Sequence, residues 1–104
     1  MRPQDYRLNA SIIKGAIQPH DFYLREQNLC QFGYRSGPWT IAGLCPFHED
    51  RTSGSFKINL TTGAFRCWSC GACGGDIIAF IEKRDELEFM DALQNLCRDW
   101  GLPC

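Results

Sequence analysis

The spacing of apolar residues along this chain changes from helical to strand-like and back again. After Asn9, a residue type that caps helices, Ile12, Ile13, Ala16 and Ile17 recur at three- and four-residue intervals until Pro19, which predicts a short helix. A second helical turn is expected over residues 21–27. Gly33, Gly37 and Pro38 then mark turns, and residues 39–44 read as a strand delivering Cys45. The period falls to two over residues 55–59, where Phe56 and Ile58 share a face. Thr61-Thr62-Gly63 turns the chain and residues 64–68 return, so this stretch reads as a hairpin. Helical spacing resumes after Asp76, a candidate N-cap. Ile77, Phe80 and Ile81 form one stripe, and Phe89, Leu93, Leu96, Cys97 and Trp100 form another, stopped by Gly101 and Pro103. The pattern predicts an α+β fold, a ribbon-type antiparallel β-sheet with helices packed on its flanks.

Two clusters add chemistry to that frame. Cys45-Pro46-Phe47-His48 is followed, after eighteen intervening residues, by Cys67-Trp68-Ser69-Cys70. In each, two soft or borderline ligands stand two residues apart, a spacing that lets one tight turn aim both at a single ion about 2.0–2.3 Å away. Four such ligands close a tetrahedron and leave no position for water, so one bound Zn2+ is structural rather than catalytic. Gly71, directly after Cys70, suits the positive φ of such a turn. Cys73 also falls in CxxC register with Cys70, so the fourth ligand is Cys70 with Cys73 as the alternative.

Composition favours metal over the other uses of thiols. The chain has 104 residues and seven cysteines, an odd count, and its start, Met1-Arg2-Pro3-Gln4-Asp5, lacks the apolar stretch of a secretion signal. A redox CxxC needs a neighbouring βαβ pattern, which is absent, and leaves Cys45 and His48 unexplained. His20 has no cysteine at knuckle spacing and reads as a surface or capping residue. Cys30, Cys97 and Cys104 do not read as ligands, and Cys97 and Trp100 belong by periodicity to the core. No run of about twenty apolar residues is present, so no membrane span is expected, and thiolates kept for metal behind a start without a secretion signal lead to the expectation of a reducing cytoplasm. A chain of this size buries only about 60–65% of its unfolded surface and needs a staple. Structural zinc, at about 10–16 kcal/mol against a usual net stability of about 5–15 kcal/mol, supplies it.

The motifs Cys45-Pro46-Phe47-His48-Glu49-Asp50-Arg51-Thr52, Ser55-Phe56-Lys57-Ile58-Asn59 and Phe65-Arg66-Cys67-Trp68-Ser69-Cys70-Gly71 resemble the N-terminal zinc-binding domain of bacterial and phage DNA primases. Gly74-Gly75-Asp76-Ile77-Ile78-Ala79-Phe80 and Leu87-Glu88-Phe89-Met90-Asp91-Ala92-Leu93 resemble that family's closing helices. The resemblance implies a primase-like zinc-binding domain over residues 39–104, with residues 1–38 a helical and loop extension packed on it, one domain in all. It departs from the family at Thr52-Ser53-Gly54-Ser55-Phe56, which lacks a proline and is one residue longer, and at Cys70-Gly71-Ala72-Cys73, where one residue is inserted. The spacing from Phe56 to Cys67 matches the family, which favours Cys67 with Cys70 as the second ligand pair.

The hairpin offers the best functional surface. If Asn59 pairs with Ala64, Lys57 sits opposite Arg66 on the face away from Phe56, Ile58 and Phe65, with Trp68 further along. Like charges so placed repel, and cations beside aromatic rings suit single-stranded nucleic acid. Arg51 and Arg35 are expected to extend the patch. The competing reading is a solvated polar face, and the net charge of −1 with a pI near 6.1 argues for weak binding by the chain alone. Glu82, Asp85, Glu86, Glu88, Asp91 and Asp99 lie outside the ribbon and alternate with Lys83, Arg84 and Arg98 as a solvated helix face does. The resemblance implies a noncatalytic module that contacts single-stranded DNA template and helps start RNA primers, working with a primase catalytic domain, a helicase or another replication protein. Its carboxylates show no two-metal cluster, so the module is either part of a primase or a freestanding relative from a phage or mobile element. The alternative is a zinc-stabilised adaptor that binds replication proteins.

Overall fold

The computed structural model describes residues 9–26, 35–49 and 54–102. Helix α1 (Ala10–Ala16) begins where Asn9 Oδ1 accepts from the Ile12 N–H at 3.0 Å, and α2 (Pro19–Glu26) follows at once. Five short strands come next, β1 (Arg35–Ser36), β2 (Trp39–Ile41), β3 (Phe56–Asn59), β4 (Phe65–Cys67) and β5 (Cys73–Gly74). Helices α3 (Ile77–Asp85) and α4 (Phe89–Asp99) close the described chain. Asp76 caps α3, its Oδ1 accepting from the Ala79 N–H at 2.9 Å.

The strands form one antiparallel sheet in sequence order. Its central hairpin has the register expected from the alternation: Lys57 faces Arg66, and the Asn59 N–H donates to the Ala64 carbonyl at 2.8 Å. Asn59 also shapes the turn, its Oδ1 accepting from the N–H groups of Thr61 and Thr62. Residues 39–44 do not form one strand. β2 ends at Ile41, and the chain bends through Gly43 (φ 75°) into the first metal knuckle. The two-residue strands β1 and β5 extend the sheet at its edges where no strand was expected. At β5 the reason for glycine is plain, since a Cβ on Gly74 would meet the Phe65 ring at 2.5 Å and Ala79 Cβ at 2.8 Å.

One face of the sheet carries the core. Phe56, Ile58 and Phe65 are buried there, and Phe80 of α3 sits against them, 5.4 Å from Phe65 and 6.4 Å from Phe56 between ring centroids. Phe47, from the first knuckle, stacks on Phe65 at 5.3 Å. Phe22 and Tyr23 of α2 meet Phe80 edge-on at 5.7 and 5.0 Å, which packs the N-terminal helices onto the same core. Two polar contacts fix that docking. The buried Tyr23 hydroxyl donates to the Gly63 carbonyl at 2.6 Å, and Lys14 pairs with the capping Asp76 at 3.1 Å. Burial, with the nearby Asp76 carboxylate, pushes the Tyr23 phenol above its ordinary range, so it stays a donor.

Helix α4 departs from expectation at its start. Ala92, Leu93, Leu96 and Cys97 are buried, but Phe89 is 46% exposed and Met90 43%. Periodicity fixes the direction in which Phe89 points, not whether another element lies beneath the first turn. Trp100 stacks on Phe22 at 6.1 Å, as a core reading requires. Cys97 is buried as its position in the stripe implies, and it is disulfide-bonded rather than a free thiol.

Candidate metal centre and nucleic-acid interface

Two bends bring the ligand pairs together. The first follows β2 and presents Cys45 and His48; the second follows β4 and presents Cys67 and Cys70, with Gly71 at φ 82° after it. One ligand atom from each of these four residues lies within 4.8 Å of all the others. The Cys45 and Cys70 sulfurs are 3.8 Å apart, and Cys67 Sγ is 3.9 Å from His48 Nδ1. A tetrahedron with metal–sulfur bonds of about 2.3 Å has edges near 3.8 Å. Backbone N–H groups support the sulfurs, Phe47 N lying 3.4 Å from Cys45 Sγ and Cys70 N 3.5 Å from Cys67 Sγ. Three thiols and an imidazole in this arrangement suit one structural zinc.

The protonation of the thiols points the same way. Burial pushes the Cys45 thiol up to about 12, and the neighbouring Cys67 and Cys70 sulfurs add to that. At Cys67 burial also opposes ionisation, yet the N–H groups of Cys70 and Ser69 and the adjoining thiols bring it below the ordinary thiol value. Thiols this close cannot all carry charge without a cation among them. A dication reverses that cost and ionises the set. Cys73 is exposed and stands outside this cluster, in β5 opposite Arg66. His20 is on the surface, 3.5 Å from Asp21. Cys30, Cys104 and residues 50–53, Arg51 among them, lie outside the described residues, as does the Arg35 side chain.

The sheet face turned away from the helices forms an open groove of about 660 Å³. Lys57, Arg66, Trp68 and Trp39 line it, with Cys73 and the Gly74–Gly75 edge. Lys57 and Arg66 are direct cross-strand neighbours, and among the described residues neither has a carboxylate partner. The Arg66 guanidinium lies over the Trp68 indole, 4.0 Å from its centroid, and Trp68 remains 60% exposed. Phe65, whose ring belongs to the core face, also reaches this lining, and the sequence reading placed neither it nor Trp39, Cys73 or the Gly74–Gly75 edge in the patch. Trp39 was legible only as the first residue of a strand, and its face follows from its pairing with Asn59.

Known proteins with similar features agree with this architecture. The CHC2 zinc finger model matches residues 34–104. A DNA primase of Mycolicibacterium smegmatis is 42% identical over 67 residues, 64% of this chain and 10% of the relative. A DNA primase of Streptomyces coelicolor is 39% identical over the same length and shares, and one of Mycoplasma genitalium is 38% identical over 63 residues. This chain thus spans about a tenth of the length of the curated relatives it matches. The crystal structure of the zinc-binding and RNA polymerase domains of the Aquifex aeolicus primase superposes with a TM-score of 0.64 at 24% identity, covering 88% of this chain and 21% of that one, and shares its fold. With residues 34–104 matched and the four ligands gathered at one point, the chain belongs to the CHC2 zinc finger family of DNA primases.

Proposed function

We propose that this chain is a noncatalytic, zinc-ordered module that holds single-stranded DNA template in the groove of Lys57, Arg66 and Trp68 and thereby assists RNA primer initiation. The observation that carries the reading is the opposition of two cations, Lys57 and Arg66, beside an exposed indole in one groove. Like charges paired across antiparallel strands destabilise a sheet. A phosphodiester between them removes the repulsion, while a base stacks on Trp68, a contact of about 1–3 kcal/mol. Arg51, which lies outside the described residues, is the further candidate for a phosphate contact. Cys45, His48, Cys67 and Cys70 hold the zinc, which does no chemistry on DNA. Its role is positional, because Trp68 lies between the ligands Cys67 and Cys70.

In this reading residues 39–104 are the working module and residues 1–38 an extension packed on it. Primer synthesis belongs to a primase catalytic domain, a reading supported by the RNA polymerase domain that accompanies the zinc-binding one in the Aquifex aeolicus primase. A helicase or another replication protein is the further partner. A cytoplasmic site of action goes with the replication role proposed here; among the described residues no helix is long and apolar enough to cross a membrane. The adaptor alternative is not favoured, since the relatives are named as primases. Replacing Lys57 and Arg66 together by Ala, with zinc retained at one per chain, is expected to weaken single-stranded DNA binding; unchanged binding removes this groove from the account.

A further inference from the structure

The cations of the groove have an aromatic on each side of them along the strands, not only at Trp68. The row of residues facing outward across the sheet runs Ile41, Lys57, Arg66, Cys73. Two residues forward along β3 from Lys57 stands Asn59, and opposite it Trp39. Two residues back from Lys57 stands Ser55, whose carbonyl accepts from the Trp68 N–H at 2.9 Å. Trp39 shares the outward face with Ile41, because the intervening Thr40 is 1% exposed and pairs with the buried Ile58. Both indoles line the same groove.

Ladder geometry sets the distance between them. Four residues along a strand advance about 13 Å and two strand spacings add about 10 Å at right angles, so the two tryptophans stand on a diagonal of about 16 Å. Successive bases in a stacked strand rise only about 3.4 Å, so bases on the two indoles cannot be neighbours. At least one nucleotide must lie between them, and its phosphates pass over the row of Lys57 and Arg66.

From this, and resting on the single-stranded DNA reading above, we infer that Trp39 is a second base-stacking subsite, and that the strand crosses the sheet diagonally from Trp39 to Trp68 with Lys57 and Arg66 beneath the intervening phosphates. The footprint spans about three to five nucleotides, depending on how far the strand is unstacked. Arg66 covers one face of the Trp68 indole, leaving its other face for a base. Duplex DNA is excluded, since its bases are not free to stack on either ring.

The test uses the zinc-loaded 104-residue chain and fluorescein-labelled oligodeoxythymidylates of two to eight nucleotides, followed by anisotropy at two salt concentrations. Wild-type affinity is expected to rise steeply up to about four or five nucleotides and then level off. Trp39→Ala should weaken binding of the longer oligomers about tenfold, leave the shortest nearly unaffected and keep the salt slope, because the phosphate contacts remain. Trp39→Phe should restore most of the loss. If Trp39→Ala binds every length as wild type does, the diagonal path is wrong while the DNA reading stands. Equal weakening at every length would assign Trp39 a structural role and overturn the inference too. If the wild-type chain binds none of the oligomers at low salt with zinc at one per chain, both readings fall.

Discussion

Phe56, Ile58 and Phe65 on one face of the β3–β4 hairpin, and Lys57, Arg66 and Trp68 on the other, differ in what completes them. The first set is finished within the molecule. Phe80 and Phe47 cover it, and α2 closes it from outside through Phe22 and Tyr23. The second set is left with two adjacent cations that no described carboxylate neutralises and an indole that is mostly in water. A side chain in a closed core contributes to stability, whereas one held against repulsion at the surface contributes when a ligand arrives. Alternation along three or four residues thus divides a single hairpin into a stability face and a proposed binding face, and the two should respond to different perturbations.

Removing the metal should have the largest effect, because it strikes both faces. Chelation is expected to cost about 10 kcal/mol or more, with loss of the hairpin seen in far-UV circular dichroism and in the near-UV signal of its tryptophans. Acid should act in the same direction, since protons compete with zinc for the thiolates and burial already holds the Cys45 proton tightly. Retention of hairpin signals without zinc would show that the aromatic core alone suffices. Next in size is Phe80→Ala. It empties the centre of the core face and should lower stability by about 3–5 kcal/mol in denaturant titration, while the surviving folded fraction keeps its zinc and its groove.

Smaller changes sharpen the comparison. Tyr23→Phe removes the hydroxyl that donates to the Gly63 carbonyl and should cost about 1–3 kcal/mol, measured as a lowered denaturation midpoint at unchanged zinc content. Such a loss would tie the N-terminal helices to the hairpin turn; none would mean that the docking of α2 rests on its aromatic packing. The smallest effect is expected from Cys73→Ser, for which elemental analysis should still give one zinc per chain. A fall in zinc content would move Cys73 into the ligand set and undo the separation between metal site and groove.

Much of this division was legible before any coordinates. The two-residue period of Phe56 and Ile58, with the Thr61-Thr62-Gly63 turn, gave both the hairpin and the opposition of Lys57 and Arg66, since side-chain direction follows from register alone. The knuckle spacing of Cys45, His48, Cys67 and Cys70 reflects a local turn and was readable for the same reason. What escaped were features that depend on long-range pairing. β1 and β5 are two residues long and carry no period. Trp39 joins the groove only because β2 pairs with β3 across a long connection, and the exposure of Phe89 escaped because nothing in the stripe reports what lies beneath a helix start. The spacing of Cys70 and Cys73 left two options, and the three-dimensional cluster is what separates them, gathering Cys70 and leaving Cys73 in an edge strand.

The most direct test of the binding face is anisotropy of labelled single-stranded DNA with the zinc-loaded chain over a salt series, run beside the Lys57→Ala, Arg66→Ala double variant. The account predicts saturable wild-type binding that weakens linearly in the logarithm of salt, and a double variant with much lower affinity at low salt. The variant's salt slope should be shallower by about 1.4, at about 0.7 per lost phosphate contact, with its melting temperature unchanged or slightly raised as the repulsion between the two cations is relieved. No wild-type binding at low salt with zinc at one per chain, or a double variant with the same affinity and slope as wild type, would contradict it.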